Sequence, residues 1–207
     1  MAESYTQVPP NSTGNKIRTR TKVIGGHTVH EQAVYQASLP TYYALADAVT
    51  FAQNKHVISI VNEAGSGKMV SIKKLFMINT QLASVTGVAV RADVKKATAH
   101  SGGTSITCQS CDSTNAALPA QITVRTAATS VTEGALLFPL TFTNDEAGAT
   151  QAFPSTQLMA GFNWFPEGGE IQELRLREGE GLTVKIITAT TVGQFAWFIV
   201  FTCDDPI

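Results

Sequence analysis

Two segments late in the chain, 182–186 and 195–201, read as strong β-strands, and they constrain the fold more than any other part of the sequence. One face of the first carries Leu182, Val184 and Ile186, and one face of the second carries Phe195, Trp197, Ile199 and Phe201. Period-two alternation is typical of a β-strand that buries one face. Because the apolar run 195–201 would promote aggregation on an open edge, we expect it to lie centrally in a sheet or against a subunit partner.

The same kind of pattern recurs from residue 56 onward. Residues 56–61 and 69–79 read as strands on either side of a turn-rich segment, which predicts a hairpin. Four further strands are expected, at 88–95, 122–126, 136–142 and 171–176. Val, Ile and Thr make up 56 of the 207 residues, and these side chains pack well on pleated surfaces. About eight strands separated by turns predict an all-β chain folded as an antiparallel β-sandwich or barrel.

The first 54 residues have a different character. Residues 7–15 consist of turn and extended-chain residues, and they are followed by a basic cluster at every second position, Lys16, Arg18, Arg20 and Lys22. That spacing is typical of a strand with one charged face or of an extended arm laid over another surface. Thr41 to Gln53 is Ala-rich and predicts a short helix, with a strand or loop as the alternatives. We therefore divide the chain into an N-terminal arm, residues 1–54, and a sandwich, residues 55–207.

Charge and hydropathy exclude several classes of protein. The formal net charge is −1 and charged residues make up 15% of the chain, whereas a dedicated nucleic-acid binder carries a basic surplus. No apolar run approaches the ~20 residues of a spanning helix, and the first residues do not read as a secretion signal. Residues 1–100 carry 11 basic and 5 acidic side chains, and residues 101–207 carry 4 and 11. This asymmetry permits contact between the early half of one subunit and the late half of a neighbour, and chance scatter of charges on a solvated surface is the alternative.

No motif in the sequence makes a strong case for catalysis or for a cofactor. The segment 65–68 (GSGK) lacks the remaining positions of a phosphate-binding P-loop and reads as a turn. Cys108 and Cys111 form a Cys-x-x-Cys pair without the further ligands of a structural zinc or the α/β setting of a redox site. His27 and His30 lack a third metal ligand at suitable spacing. The glutamates between 167 and 180 alternate with glycines, which indicates turns at strand ends. We expect no enzyme activity and no cofactor.

Five stretches of the chain resemble segments of tailed-bacteriophage virion proteins. They are HVISIVNEAGSGKMVSIKKLF (56–76), VTGV (85–88), GGTSI (102–106), NAALPAQITVRTAA (115–128) and REGEGLTV (177–184). The resemblance covers roughly residues 55–202. It implies a sandwich of jelly-roll type and a virion structural protein, either a capsid decoration (cement) protein or another head or tail component.

The resemblance also implies where the chain acts and with what. We expect the chain to be located in the virion after assembly in the host cytoplasm. Its expected partners are the major capsid protein and further copies of the chain itself, with which it forms a homotrimer. We expect no membrane and no specific nucleic acid as partners. The resemblance does not extend over residues 1–54, so the candidate residues for docking on the shell follow from the charge pattern alone, and they are Lys16, Arg18, Arg20 and Lys22. Those for the subunit interface are Phe162, Trp164, Phe165 and Trp197.

Three alternatives remain open at this point. The aromatic residues could cover the open end of the sandwich core instead of an interface. The loop 162–165 could belong to a receptor- or glycan-binding module on a tail or spike. A jelly-roll enzyme of the cupin type would bind a metal through His and Glu side chains, although His27 and His30 lie outside the predicted sandwich.

Overall fold

The computed structural model describes residues 19–32, 39–80, 88–144, 159–163, 173–189 and 193–205, and every regular element in these ranges is a β-strand. The chain divides into two compact units, residues 1–38 and residues 39–207. The boundary predicted after residue 54 therefore falls within the second unit.

The first unit contains an antiparallel hairpin of β1 (Thr19–Ile24) and β2 (His27–Gln32). Gly25 and Gly26 form its two-residue turn with φ values of 58° and 83°, and a turn of this kind needs positive φ at both positions. Arg20 and Lys22 lie in β1, so the strand reading of this segment is confirmed for them.

The second unit contains twelve strands within the described ranges. They are β3 (Thr41–Thr50), β4 (His56–Asn62), β5 (Met69–Asn79), β6 (Val88–Ser101), β7 (Thr104–Ile106), β8 (Gln109–Ser110), β9 (Ile122–Thr126), β10 (Ser130–Asn144), β11 (Met159–Asn163), β12 (Leu174–Leu176), β13 (Glu180–Ile186) and β14 (Gln194–Asp204). They form two antiparallel sheets that pack together, as the sequence predicts.

The sheets differ in composition and order. One, here called the β14 sheet, has the order β11-β5-β14-β3-β8, with β12 also paired to β5. The other, here called the β13 sheet, has the order β10-β6-β13-β4-β9-β7. Strand β14 lies in the middle of its sheet and pairs with β3 on one side and β5 on the other. The central position expected for 195–201 is confirmed.

Of the three readings left open for the Ala-rich segment, the strand is confirmed and the helix is wrong. The segment contains strand β3, in which Ala44 and Ala46 alternate toward the core and pair with the larger Ile199 and Trp197. The hairpin expected from 56–61 and 69–79 is absent, because β4 belongs to the β13 sheet and β5 to the β14 sheet. The turn between them therefore links the two sheets.

The core lies between the sheets and receives the apolar face of each long strand. Trp197, Phe195 and Phe201 have no exposed surface and are the largest fully buried side chains. Trp197 was expected at a subunit interface, and the structure corrects this expectation, because a side chain enclosed between the sheets cannot contact a second subunit. Its role is to fill the core.

We expect Trp197→Ala to lower the free energy of unfolding by about 3–5 kcal/mol, since it removes a large buried ring and leaves a cavity. Leu136→Ala serves as the control, because Leu136 is 47% exposed, and it should cost well under 1 kcal/mol by comparison. Urea denaturation of both variants checks this. Equal losses in the two variants would contradict the core assignment.

Candidate functional site

The outward side of the β14 sheet carries an array of side chains, here called the aromatic face. Strand register defines two full rows across β5, β14 and β3, which are Lys74, Val200 and Tyr43 in the first and Phe76, Phe198 and Leu45 in the second. A third row contains Ile78 and Ala196, and its place on β3 falls where the pairing of β14 with β3 shifts register. Seven of these eight side chains are apolar.

The rings of the aromatic face contact one another. Phe198 lies in the middle, with its ring centroid 5.4 Å from that of Tyr43 and 4.7 Å from that of Phe76. All three rings are only partly buried, and Leu45 beside them is 43% exposed. An antiparallel sheet with one side in water normally alternates apolar and polar residues, so a contiguous apolar patch on the outward side indicates a contact surface.

The outward side of the β13 sheet is polar, and its first cluster is built around Glu133 of β10. The Glu133 carboxylate accepts hydrogen bonds of 2.6 Å from both Lys95 and Lys185. His56 Nε2 lies 3.5 Å from the same carboxylate, and its Nδ1 is 2.9 Å from the Thr183 hydroxyl. Burial raises the pKa of Glu133, but the two lysines outweigh it and hold the pKa at about 2. The carboxylate is therefore charged throughout the physiological range.

A second polar cluster is a chain of hydrogen bonds through His100. The Thr123 hydroxyl donates to Glu63 over 3.1 Å, so at 2.7 Å it accepts from Nε2 of His100. The other ring nitrogen then accepts from the hydroxyl of Ser59, also at 2.7 Å. Burial, together with the charge of Arg125, lowers the pKa of His100 to about 4. The ring is neutral at pH 7, and this direction of bonding fixes its tautomer.

These contacts show that the end of β6 lies over the outward side of its own sheet. Ser59 stands between the core residues Ile58 and Ile60 in β4, so its side chain points away from the core. Strand β13 separates β6 from β4, yet His100 of β6 bonds to Ser59, which has no exposed surface. Part of this side of the sandwich is therefore covered by the chain itself, although the buried Nε of Arg125 in β9 has no hydrogen-bond partner.

The glycine-rich turn between β4 and β5 holds an anion supplied by the chain itself. Gly67 N–H donates to the Glu178 carboxylate over 2.6 Å. This bond, and another from the Gly65 N–H, lower the pKa of Glu178. The expected turn is confirmed, and its backbone N–H groups are already occupied by a carboxylate.

The cysteines in the described residues form no disulfide bond. Cys108 and Cys111 are free thiols, and Cys203 is buried in β14. Burial raises the pKa of Cys108 to about 11, so its thiol is protonated at neutral pH. Across the described ranges, no group of three or more His, Cys, Asp or Glu side chains is arranged to hold a metal ion.

An open groove of about 430 Å³ lies beside Cys108. It is lined by Tyr42 and by parts of the segments 105–110, 115–120 and 122–124. None of the lining residues is charged. The groove could take a small neutral ligand.

The structure places the sequence-derived candidates as follows. Phe162 lies in β11, and Arg20 and Lys22 lie in β1, with side chains that are not described; Lys16, Arg18, Trp164 and Phe165 lie outside the described residues. The sequence reasoning missed Tyr43, Leu45, Phe76 and Phe198. One signal was available, since the run 195–201 is apolar at every position, and this implies two apolar faces on one strand.

Comparisons with known proteins give no relative for this chain. No family model matches it, no curated protein matches it, and no solved structure matches it. Within the described part of the chain, no helix has the length and hydropathy of a membrane span.

We expect the protein to lose stability as the pH falls from about 6.5 to about 4. A histidine in the unfolded chain takes up a proton near pH 6.5, whereas folded His100 resists protonation down to about pH 4, so acid favours the unfolded state. His56, whose pKa burial also lowers, acts in the same direction. His100→Gln should flatten part of this dependence.

Melting temperature against pH, for the wild type and His100→Gln, checks this prediction. Glu133 contributes to the pH dependence of stability in a lower pH range than the histidines. Its depressed pKa gives stability that is present above about pH 4.5 and is lost only as the pH falls toward about 2. Identical curves for the two proteins between pH 6.5 and 4 would contradict the role given to His100.

Proposed function

We propose that this chain is a non-enzymatic virion structural protein of a tailed bacteriophage. It decorates and stabilises the capsid through contacts between subunits and contacts with the shell. The major capsid protein and further copies of the chain are its partners, and the virion is its location. The sequence resemblance motivates this proposal, and the following features support it.

The strand pairing supports the jelly-roll form of the sandwich. Strand β3 pairs with β14, β4 with β13, β5 with β12 and β11, and β6 with β10. Each pair lies inside the previous one along the chain, as in a single long hairpin rolled up and divided between two sheets. Such nesting is expected of a jelly roll, a fold used in viral capsids and lectins.

The observation that carries the proposal is the aromatic face. A protein whose work is to bury surface against neighbours needs a contact patch rich in aromatic residues. Tyr43, Phe76 and Phe198 supply such a patch on the outward side of the β14 sheet. The polar outward side of the other sheet gives the molecule two chemically distinct faces.

The first unit is the proposed contact with the shell. Arg20 and Lys22 lie in β1 of its hairpin, and together with Lys16 and Arg18, which precede β1 in the sequence, they make four positive charges within seven residues. Such a segment is attracted to an acidic surface on the shell. Phe162, Trp164 and Phe165 remain proposed contributors to contacts between subunits.

A second candidate function is a receptor- or glycan-binding module of a tail or spike. The groove beside Tyr42 favours it, because an uncharged lining that mixes hydroxyl and aliphatic groups suits a neutral saccharide. A glycan array separates the two candidates, since the decoration role requires no glycan signal.

The test of the proposed function is the copy number of this chain in purified particles, measured by quantitative mass spectrometry against the major capsid protein. A decoration role requires hundreds of copies per particle. A number in the single digits or tens would move the chain to the neck or tail. Absence from the particle would overturn the proposal.

Deletion of residues 1–38 should leave a folded sandwich that no longer binds capsids, because it removes the first unit and retains β3 to β14. Circular dichroism and thermal unfolding report the fold, and co-sedimentation with capsids lacking this chain reports binding. The full-length double variant Arg20→Glu, Lys22→Glu tests the basic cluster in an otherwise intact chain, and it should weaken binding at least tenfold. Unchanged binding by the deletion variant would refute the docking role.

A further inference from the structure

We infer that residues 98–103 and 129–132, here called the cover, form an acid-sensitive latch that opens from the outward side of the β13 sheet when His100 takes up a proton. The cover consists of the end of β6, the turn that follows it and the start of β10, which pairs with the end of β6. Its opening does not depend on the proposed function, because only contacts within the chain are involved.

The cover begins where the regular ladders of the sheet are interrupted. On β10, the pairing with β6 shifts register more than once between Thr132 and Leu136, and Gly134 lies within this stretch. A β-bulge bends its strand and locally disrupts the ladder. On β6, the register with β13 ends at Ala97, so the ladder to β13 does not hold residues 98–101. Both strands of the cover therefore have a hinge at the same level.

Apolar packing contributes little to holding the cover on the sheet. Each of its residues is exposed except His100 and Val131, which are partly buried. Regions with few buried apolar contacts open at a lower free energy than the core of the same protein. The cover is therefore able to open while the two sheets stay packed together.

The ring of His100 ties the cover to two neighbouring strands of the sheet. It accepts a hydrogen bond from Ser59 of β4 and donates one to Thr123 of β9, each over 2.7 Å. Arg125 of β9 also donates to the Gly102 carbonyl over 3.2 Å, and this bond does not require a neutral imidazole. The bonds of His100 are therefore the part of the attachment that responds to pH.

Uptake of a proton by His100 disrupts this attachment. In the neutral ring Nδ1 accepts from the Ser59 hydroxyl, whereas in the protonated ring both nitrogens donate. The Ser59 hydroxyl then has to accept, and its own proton loses its acceptor at a site with no exposed surface. Because a buried donor without a partner is costly, the protonated ring destabilises the closed position of the cover.

The charges around the ring act in the same direction. Burial opposes a positive charge on His100, Arg125 of β9 adds to this effect, and Glu63, directly after β4, offsets it in part. Strand β7 and the first three residues of β10 carry no charged side chain, and neither do Gly181 and Thr183 on β13. Opening moves the ring into water and away from Arg125, so the open position accepts the proton more readily.

The size of the response follows from the two positions of the ring. The pKa of His100 is about 4 when the cover is closed and returns to about 6.5 when the ring is exposed. Between pH 7 and pH 5, the equilibrium constant for opening should therefore rise about twentyfold, and it should level off below about pH 4. Opening uncovers Ser59, which is fully buried in the closed position.

Hydrogen–deuterium exchange of the full chain at pH 7 and pH 5, with each rate divided by the intrinsic rate at that pH, tests the inference. At both pH values the cover should be less protected than β14 by about tenfold or more, because it opens without the core. Its protection should fall about twentyfold from pH 7 to pH 5. Equal protection of the cover and β14 would overturn local opening, and an unchanged cover would overturn its acid sensitivity.

Two histidine variants assign the response to one ring. His100→Gln has no titrating group at this position, so the fall in protection of the cover between pH 7 and pH 5 should disappear. His27→Gln is the matched control, since His27 is an exposed histidine of the first unit, and it should leave the fall unchanged. A cover that still loses protection about twentyfold in folded His100→Gln would overturn the role of this ring.

A third variant tests the latch without changing any titrating group. Ser59→Ala removes the hydroxyl that donates to His100, so the cover should be less protected already at pH 7, while β14 keeps a higher protection than the cover. Circular dichroism and thermal unfolding verify that each variant is folded. A cover as protected in folded Ser59→Ala as in the wild type would contradict the latch.

Discussion

The pairing of β14 with both β3 and β5 is the interaction on which the rest of the second unit depends. Leu45 and Phe198 face each other across this ladder although more than 150 residues separate them in sequence. The ladder fixes which face of β14 carries Trp197 into the core, because a slip of one residue would turn every side chain to the opposite side. It also fixes the rows of the aromatic face. One strand register therefore determines both which side chains of β14 enter the core and which form the aromatic face.

The strands could be predicted from the sequence, but their partners could not. Alternation identifies β13 and a short apolar run identifies β14, and both signals are local. Ala44 and Ala46 misled the prediction, since alanine favours helices, whereas here small side chains are needed beside Trp197 and Ile199. The prediction of a hairpin from β4 and β5 was wrong for a related reason. Two strands joined by a turn pair only if no distant strand pairs better, and each found distant partners.

The candidate site was even less accessible to sequence reasoning. Its members come from three strands that are far apart in the chain, and none has a motif. Phe198 and Val200 could have indicated a second apolar face on β14, but Tyr43 sits in a segment that read as helical. The basic cluster, in contrast, is evident from the sequence alone, because its charges are neighbours. A surface formed by side chains from several strands can be identified only when the register of those strands is known.

The outward sides of the two sheets differ in the kind of contact that they offer. On the β13 sheet, the end of β6 folds over the strands, where Ser59 and Thr123 bond to His100, and elsewhere on the same side Glu133 binds two lysines. Such directional bonds fix one position of the cover, because a displaced carboxylate or hydroxyl would lose its partner at high cost. The aromatic face has no such bonds between its rings. Apolar contact is non-directional, so the aromatic face does not by itself fix the orientation of a surface that packs against it.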